Sequence, residues 1–243
     1  MEKETKIEDQ KYVFKIGDFE ITPVIIGILA VLFTIVLLYL YKKSKSSKTD
    51  FLLTGLCDSG KTFVFSQLLY SKAVSTFTSI AENIGEYNCG KCIVRVIDIP
   101  GNERLRSKFF EKYKNNAKGI VFVVDSVTFQ RDVRDVADYL YTILADNTIS
   151  KCPMLILCNK QDETMAKGCA VIKNLLEKEM NLVRTTRTSQ LKSVDNTDSN
   201  NVYLGKQGKD FEFVQLPQKI EFYECSAQNQ ELSQLSDWID RVV

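Results

Sequence analysis

Residues 55–62 read GLCDSGKT, directly after the apolar run FLLTG at 51–55 and directly before a helix-forming stretch at 61–71. The pattern is G-x-x-x-x-G-K-[ST] between a strand and a helix, and each position has a physical task. Gly55 and Gly60 permit a tight turn. The loop backbone through Asp58 and Ser59 then turns its N–H groups toward a phosphate, backed by the positive end of the helix. Lys61 brings a point charge to β- and γ-phosphates, and the Thr62 hydroxyl suits Mg²⁺ coordination. A chance match in a surface turn is the competing reading, and the strand–loop–helix setting argues against it.

Outward from this loop, short apolar runs alternate with longer amphipathic stretches. The runs are FLLTG (51–55), CIVRVIDI (92–99), GIVFVVD (119–125), PMLILCN (153–159) and KIEFYEC (219–225). Near-continuous apolar strands indicate a sheet covered on both faces, hence mostly parallel. Helices are expected near 61–71, 129–146, 165–180 and 229–242. The fold class is therefore α/β: a P-loop domain with a doubly wound, mostly parallel sheet and its ligand site at the carboxyl ends of the strands. Residues 184–209, rich in Ser, Thr, Asn and Asp, interrupt the rhythm and read as a long, partly disordered polar loop.

Three further motifs close strands. Asp98-Ile-Pro-Gly101 places an acid suited to hold Mg²⁺ through water, and a glycine whose N–H can approach a γ-phosphate. Asn159-Lys160-Gln161-Asp162 places a carboxylate that can accept from guanine N1–H and the exocyclic amine, a donor pair that adenine lacks. Asn159 is expected to tie this loop to the phosphate loop, and the Lys160 stem to lie over the purine. Cys225-Ser226-Ala227 offers a backbone N–H for guanine O6. Each of the three is weak alone and reads equally as a polar turn; together, in this order, they imply a site for GTP with Mg²⁺.

The chain has 243 residues, room for one domain with appendages. From Ile21 to Tyr41 no side chain is charged, and as a helix this stretch would rise about 31 Å, the thickness of a bilayer core. Residues 1–20 contain four lysines and six acids, whereas 42–49 contain four lysines and no acid. The positive-inside rule then predicts a luminal leader (1–20), a transmembrane helix (21–41), a basic linker (42–50) and a cytosolic domain (51–243). That domain has 24 basic and 24 acidic side chains, which gives no electrostatic reason to expect nucleic acid as a direct partner. Seven scattered cysteines and no histidine suit reduced thiols; Cys89-x-x-Cys92 reads as a turn, since zinc would need a second ligand pair.

The motifs resemble the Ras-like small GTPases, on the Arf and Sar side of that superfamily. The longer runs DIPGNERLR (98–106), VFVVDSVTFQRDVRDVADYLY (121–141), LILCNKQDETMAKG (155–168), LGKQGKDFEFVQLP (204–217) and EFYECSA (221–227) are similar to the β-subunit family of the signal recognition particle receptor. The resemblance implies a membrane GTPase of the endoplasmic reticulum. It would bind the receptor α subunit and serve, indirectly, ribosome–nascent-chain complexes and the protein-conducting channel. It also implies a hydroxyl from the segment 71–83 that closes on Mg²⁺; Thr76, Thr78 and Ser79 are the candidates, with Thr78 favoured. Such enzymes usually place glutamine after the D-x-x-G glycine to orient the attacking water. Here Asn102 stands there, one methylene shorter, and slow hydrolysis is expected. Two other readings are a non-cycling GTP-bound anchor and an Arf-like trafficking GTPase.

Overall fold

The computed structural model describes residues 14–16, 19–21, 23–44, 48–72, 78–90, 92–192 and 203–243. The chain divides into two units, Met1–Ser47 and Lys48–Val243. The first contains a short antiparallel pair, β1 (Phe14–Ile16) and β2 (Phe19–Ile21), and the helix α1 (Pro23–Ser44). Among the described residues no helix is long and apolar enough to cross a membrane. The span expected at 21–41 is thus not found as such. Its side chains are described only over 27–39, a shorter length than a bilayer core requires. The large apolar side chains within that stretch are exposed, Phe33 and Leu38 at 64% each.

The second unit is a six-stranded sheet with β3 (Asp50–Thr54), β4 (Asn83–Asn88), β5 (Ile93–Asp98), β6 (Ala117–Asp125), β7 (Met154–Asn159) and β8 (Ile220–Glu224) in the spatial order β4-β5-β3-β6-β7-β8. Every pairing is parallel except β4 with β5, an antiparallel hairpin at the edge. The helices are α2 (Lys61–Tyr70), α3 (Glu103–Tyr113), α4 (Phe129–Leu144), α5 (Cys169–Lys192) and α6 (Ser233–Val242). Side chains alternate across each strand, so Leu52, Ile120, Phe122 and Ile156 enter the core beneath α4 and α5. Phe51, Leu53, Val121 and Leu157 enter the one that contains Trp238 of α6. Both faces are covered, as near-continuous apolar strands demand.

Two departures from the expected pattern have local causes. Helix α5 runs to Lys192 rather than ending near 180, so the start of the polar stretch 184–209 is helical. Its hydroxyls sit on the helix's own carbonyls: Thr185 donates to Asn181 O, Thr186 to Leu182 O and Thr188 to Arg184 O. The returning chain is packed too, with Leu204, Phe211 and Phe213 in the core. Buried Arg184 donates to the carbonyls of Leu204 (3.3 Å) and Lys209 (2.7 Å), and its guanidinium faces the Tyr203 ring. Residues 193–202 lie outside the described residues.

Candidate nucleotide-binding site

Strand β3 delivers Gly55 at its carboxyl end, and the loop 55–60 leads into α2. Gly60 has φ +87°, the left-handed region that a side chain disfavours, and a Cβ there would lie 2.4 Å from Asn159 Nδ2. Asp58 also has positive φ, at 59°. Ser59 Oγ donates to Leu56 O at 3.0 Å, and Lys61 Nζ donates to the same carbonyl at 2.6 Å. Lys61 is only 6% exposed. Burial lowers its pKa, while Asp98, Cys57 and Asp58 work in the opposite direction. A buried ammonium with a carbonyl for its partner is a strong receptor for an anion.

Asp98 ends β5, the neighbour of β3, and is fully buried. Its Oδ2 accepts from the Thr62 hydroxyl at 2.7 Å and from Asn83 Nδ2 at 2.9 Å, whereas buried Oδ1 has no hydrogen-bond partner among the described residues. Burial raises its pKa, against the two hydrogen bonds and Lys61. Gly101 closes on the phosphate loop: a Cβ at this position would meet Cys57 N at 2.6 Å. Only glycine lets the two backbones approach this closely.

The third segment comes from β7. Asn159 Nδ2 donates to Ser59 O at 3.0 Å, joining its loop to the phosphate loop, and its Oδ1 accepts from Ala227 N at 3.2 Å. The Ala227 N–H, expected to face a base oxygen, is therefore engaged with Asn159 here. Asp162 is exposed, and its Oδ1 accepts from the Ser226 hydroxyl at 2.6 Å. Lys160, with φ 68°, is pinned by its ammonium to Asp125 at 2.6 Å. Gly60, Lys61, Thr62, Thr78, Gly101, Lys160, Asp162 and Ala227 line one cavity of about 590 Å³, together with Ser79. Asp58 and Asn159 line it as well, whereas Gly55, Ser59, Asp98 and Ser226 are not part of its lining.

The sequence matches the family described as signal recognition particle receptor beta subunit over residues 46–220. The chain belongs to this receptor β-subunit family. The human signal recognition particle receptor subunit beta is 42% identical over 238 residues, covering 93% of this chain and 88% of the relative. A chain from the structure of the mammalian SRP receptor is 41% identical with a TM-score of 0.72, over 80% of this chain and 100% of that one. A chain of the signal recognition particle receptor SRb-GTP/SRX complex from Chaetomium thermophilum, 19% identical, shares the fold at a TM-score of 0.65 over 80% of this chain and 100% of that one.

In this family member the structure separates the hydroxyl candidates. Ser79 Oγ lies 3.2 Å from Thr62 Oγ1, whereas Thr78 lines the cavity without a hydrogen bond to Thr62; Thr76 lies outside the described residues. Asn102 is the N-cap of α3, its Oδ1 accepting from Arg104 N at 3.0 Å. Arg106 stacks its guanidinium over the Tyr139 ring at 4.3 Å. Sequence reasoning missed Asn83, Asp125 and Gln161. Gln161 Nε2 donates to Ser126 Oγ at 2.9 Å and to Lys167 O at 3.0 Å, which braces the loop from outside. Asn83 and Asp125 belong to no motif, and Gln161 is the position of N-K-Q-D to which sequence reasoning gave no role; only the DSV run that closes β6 hinted that the loops would meet.

Proposed function

We propose that this chain is a GTP-binding, membrane-anchored subunit that docks the signal recognition particle receptor α subunit at the endoplasmic reticulum for co-translational targeting. One observation carries the nucleotide reading: an exposed carboxylate, Asp162, and a buried ammonium, Lys61, line the same cavity, their two loops joined by the Asn159–Ser59 bond. A purine that offers two donors suits the former and a phosphate chain the latter. Titration of the full chain with a fluorescent GTP analogue, competed by GTP or ATP, tests this. Equal competition by the two would refute it.

The residues also fit Mg²⁺. Asp98 Oδ1 is a buried oxygen in need of a partner, and the Thr62 hydroxyl can keep donating to Oδ2 while its lone pair faces a cation. When bound with GTP, Mg²⁺ neutralises charge on the β- and γ-phosphates. Thr62 and Ser79 would supply hydroxyl oxygens, Asp98 would act through water, and Lys61 would hold the phosphates. A structural neighbour named as an SRb-GTP/SRX complex is in keeping with a GTP-binding subunit that pairs with the receptor's other subunit.

The apolar stretch Ile21–Tyr41 and the lysines that follow support a single span with a luminal N-terminus and a cytosolic domain. The membrane is then a direct partner through this span, and the ribosome–nascent-chain complex and channel are reached indirectly through the α subunit. Carbonate extraction followed by protease protection of microsomes tests the topology. The second reading, a GTP-bound anchor that seldom cycles, draws on Asn102: its amide oxygen caps α3 rather than standing available to orient water.

A further inference from the structure

Asn83 opens β4, directly after the segment that contains Thr78 and Ser79, and stands opposite Asp98 in the β4–β5 register. Its Nδ2 donates to Asp98 Oδ2 at 2.9 Å, the same oxygen that accepts from Thr62 at 2.7 Å. A carboxylate oxygen has two lone-pair directions in its plane, and here both have donors. Oδ1 is left as the only oxygen of Asp98 with capacity to spare. Thr62 alone would not enforce this division, because its hydroxyl rotates and has Ser79 Oγ at 3.2 Å as a second partner. Asn83, whose backbone is fixed opposite Asp98 by strand pairing, has its amide nitrogen on Oδ2. It also joins the chain just beyond Ser79 to the carboxylate at the sheet's rim.

We propose that Asn83 is a positioning residue for the Mg²⁺ that accompanies the nucleotide: it occupies Oδ2 of Asp98 and thereby reserves Oδ1 for the cation's water. The inference rests on the nucleotide reading above. A purely structural role predicts something different. In that case Asn83 only satisfies a buried carboxylate, and its loss weakens the fold without altering the response to Mg²⁺.

The test uses the full chain in detergent micelles, loaded with a fluorescent GTP analogue, and follows analogue release from EDTA up to millimolar Mg²⁺. Wild type should release more slowly as Mg²⁺ rises, with a defined midpoint. Asn83→Ala and the near-isosteric Asn83→Leu should raise that midpoint about 10-fold or more, the usual effect of losing an outer-shell partner. Release in EDTA should stay within about twofold of wild type, since the carboxylate matters there only through the metal. An unchanged midpoint in both variants would overturn the proposal, as would an equal change in EDTA, or failure of both variants to fold. If wild type itself neither retains the analogue nor responds to Mg²⁺, the nucleotide reading fails first and takes Asn83's role with it.

Discussion

Asn159 and Ser59 stand 100 residues apart in the chain and share a hydrogen bond of 3.0 Å, with Gly60 fitted against the same amide. The base-reading loop and the phosphate loop are therefore one mechanical piece. Gly60→Ala should break it, because the new methyl would meet Asn159 Nδ2 at 2.4 Å on a backbone that already has φ +87°. A loss of about 2 kcal/mol or more is expected, with nucleotide retention impaired. Thermal melting with and without GTP measures both; a variant with normal melting and normal retention would contradict the linkage.

Asp162 should decide the base. Asp162→Asn replaces an acceptor by a donor opposite two guanine donors, so GTP affinity should fall about 100-fold or more while xanthosine triphosphate gains. Ser226, which donates to Asp162 at 2.6 Å, should matter less: Ser226→Ala removes an orienting contact, not the charge. Competition titrations with the two nucleotides read the difference. Undiminished GTP affinity in Asp162→Asn would be decisive against the assignment.

Ser79 and Thr78 are adjacent, yet only Ser79 reaches Thr62. Ser79→Ala should reduce the slowing of nucleotide release by Mg²⁺, and Thr78→Ala should leave it intact. The reverse ranking would restore Thr78, the residue that the sequence resemblance favours.

Asn102→Ala should destabilise α3 by about 1 kcal/mol through loss of its cap, leaving GTP affinity unchanged. Single-turnover hydrolysis should be at or below about 10⁻⁴ s⁻¹ in wild type, the unassisted range of related enzymes. Fast hydrolysis without a partner would show that another group orients the water.

Glu221 predicts a pH dependence. Burial alone would raise its pKa, but hydrogen bonds and charge from Tyr223, Lys219 and Arg241 bring it from 4.5 to about 2. The folded value lies below the unfolded one, so the stabilisation is present above about pH 4.5 and fades as pH falls toward 2. Glu221→Gln should cost about 1 kcal/mol at pH 7 and progressively less in acid. Melting curves at pH 7 and 3 compare the two proteins, and a gap that does not narrow would argue against the ion cluster.

Buried parallel strands announce themselves, and β3, β6 and β7 begin and end within two residues of the apolar runs that predicted them. β4 was not legible: NIGEYN shows no apolar alternation, since its exposed positions hold Ile84, Glu86 and Asn88 at the sheet's edge, and on the inner side Gly85 admits Leu69 where a side chain would stand. Helix α3 was missed for a related reason, since ERLRSKFFEKY buries only Phe110 and Tyr113. In the site, the motifs supplied the loop ends. The bracing roles of Asn83, Asp125 and Gln161 were invisible, because a polar residue at an edge strand or turn looks like any solvated one until its partner from another segment is beside it.

Arg184 has a practical corollary. The chain that departs along α5 and the chain that comes back at 204–209 are fastened by the same guanidinium, so the ends of the excursion are fixed independently of its length. Closing a longer segment between fixed ends costs only logarithmically in length. A fluorescent tag or affinity epitope spliced between 193 and 202 should therefore leave the packing of Arg184, Leu204 and Phe211 undisturbed, giving a handle on this subunit.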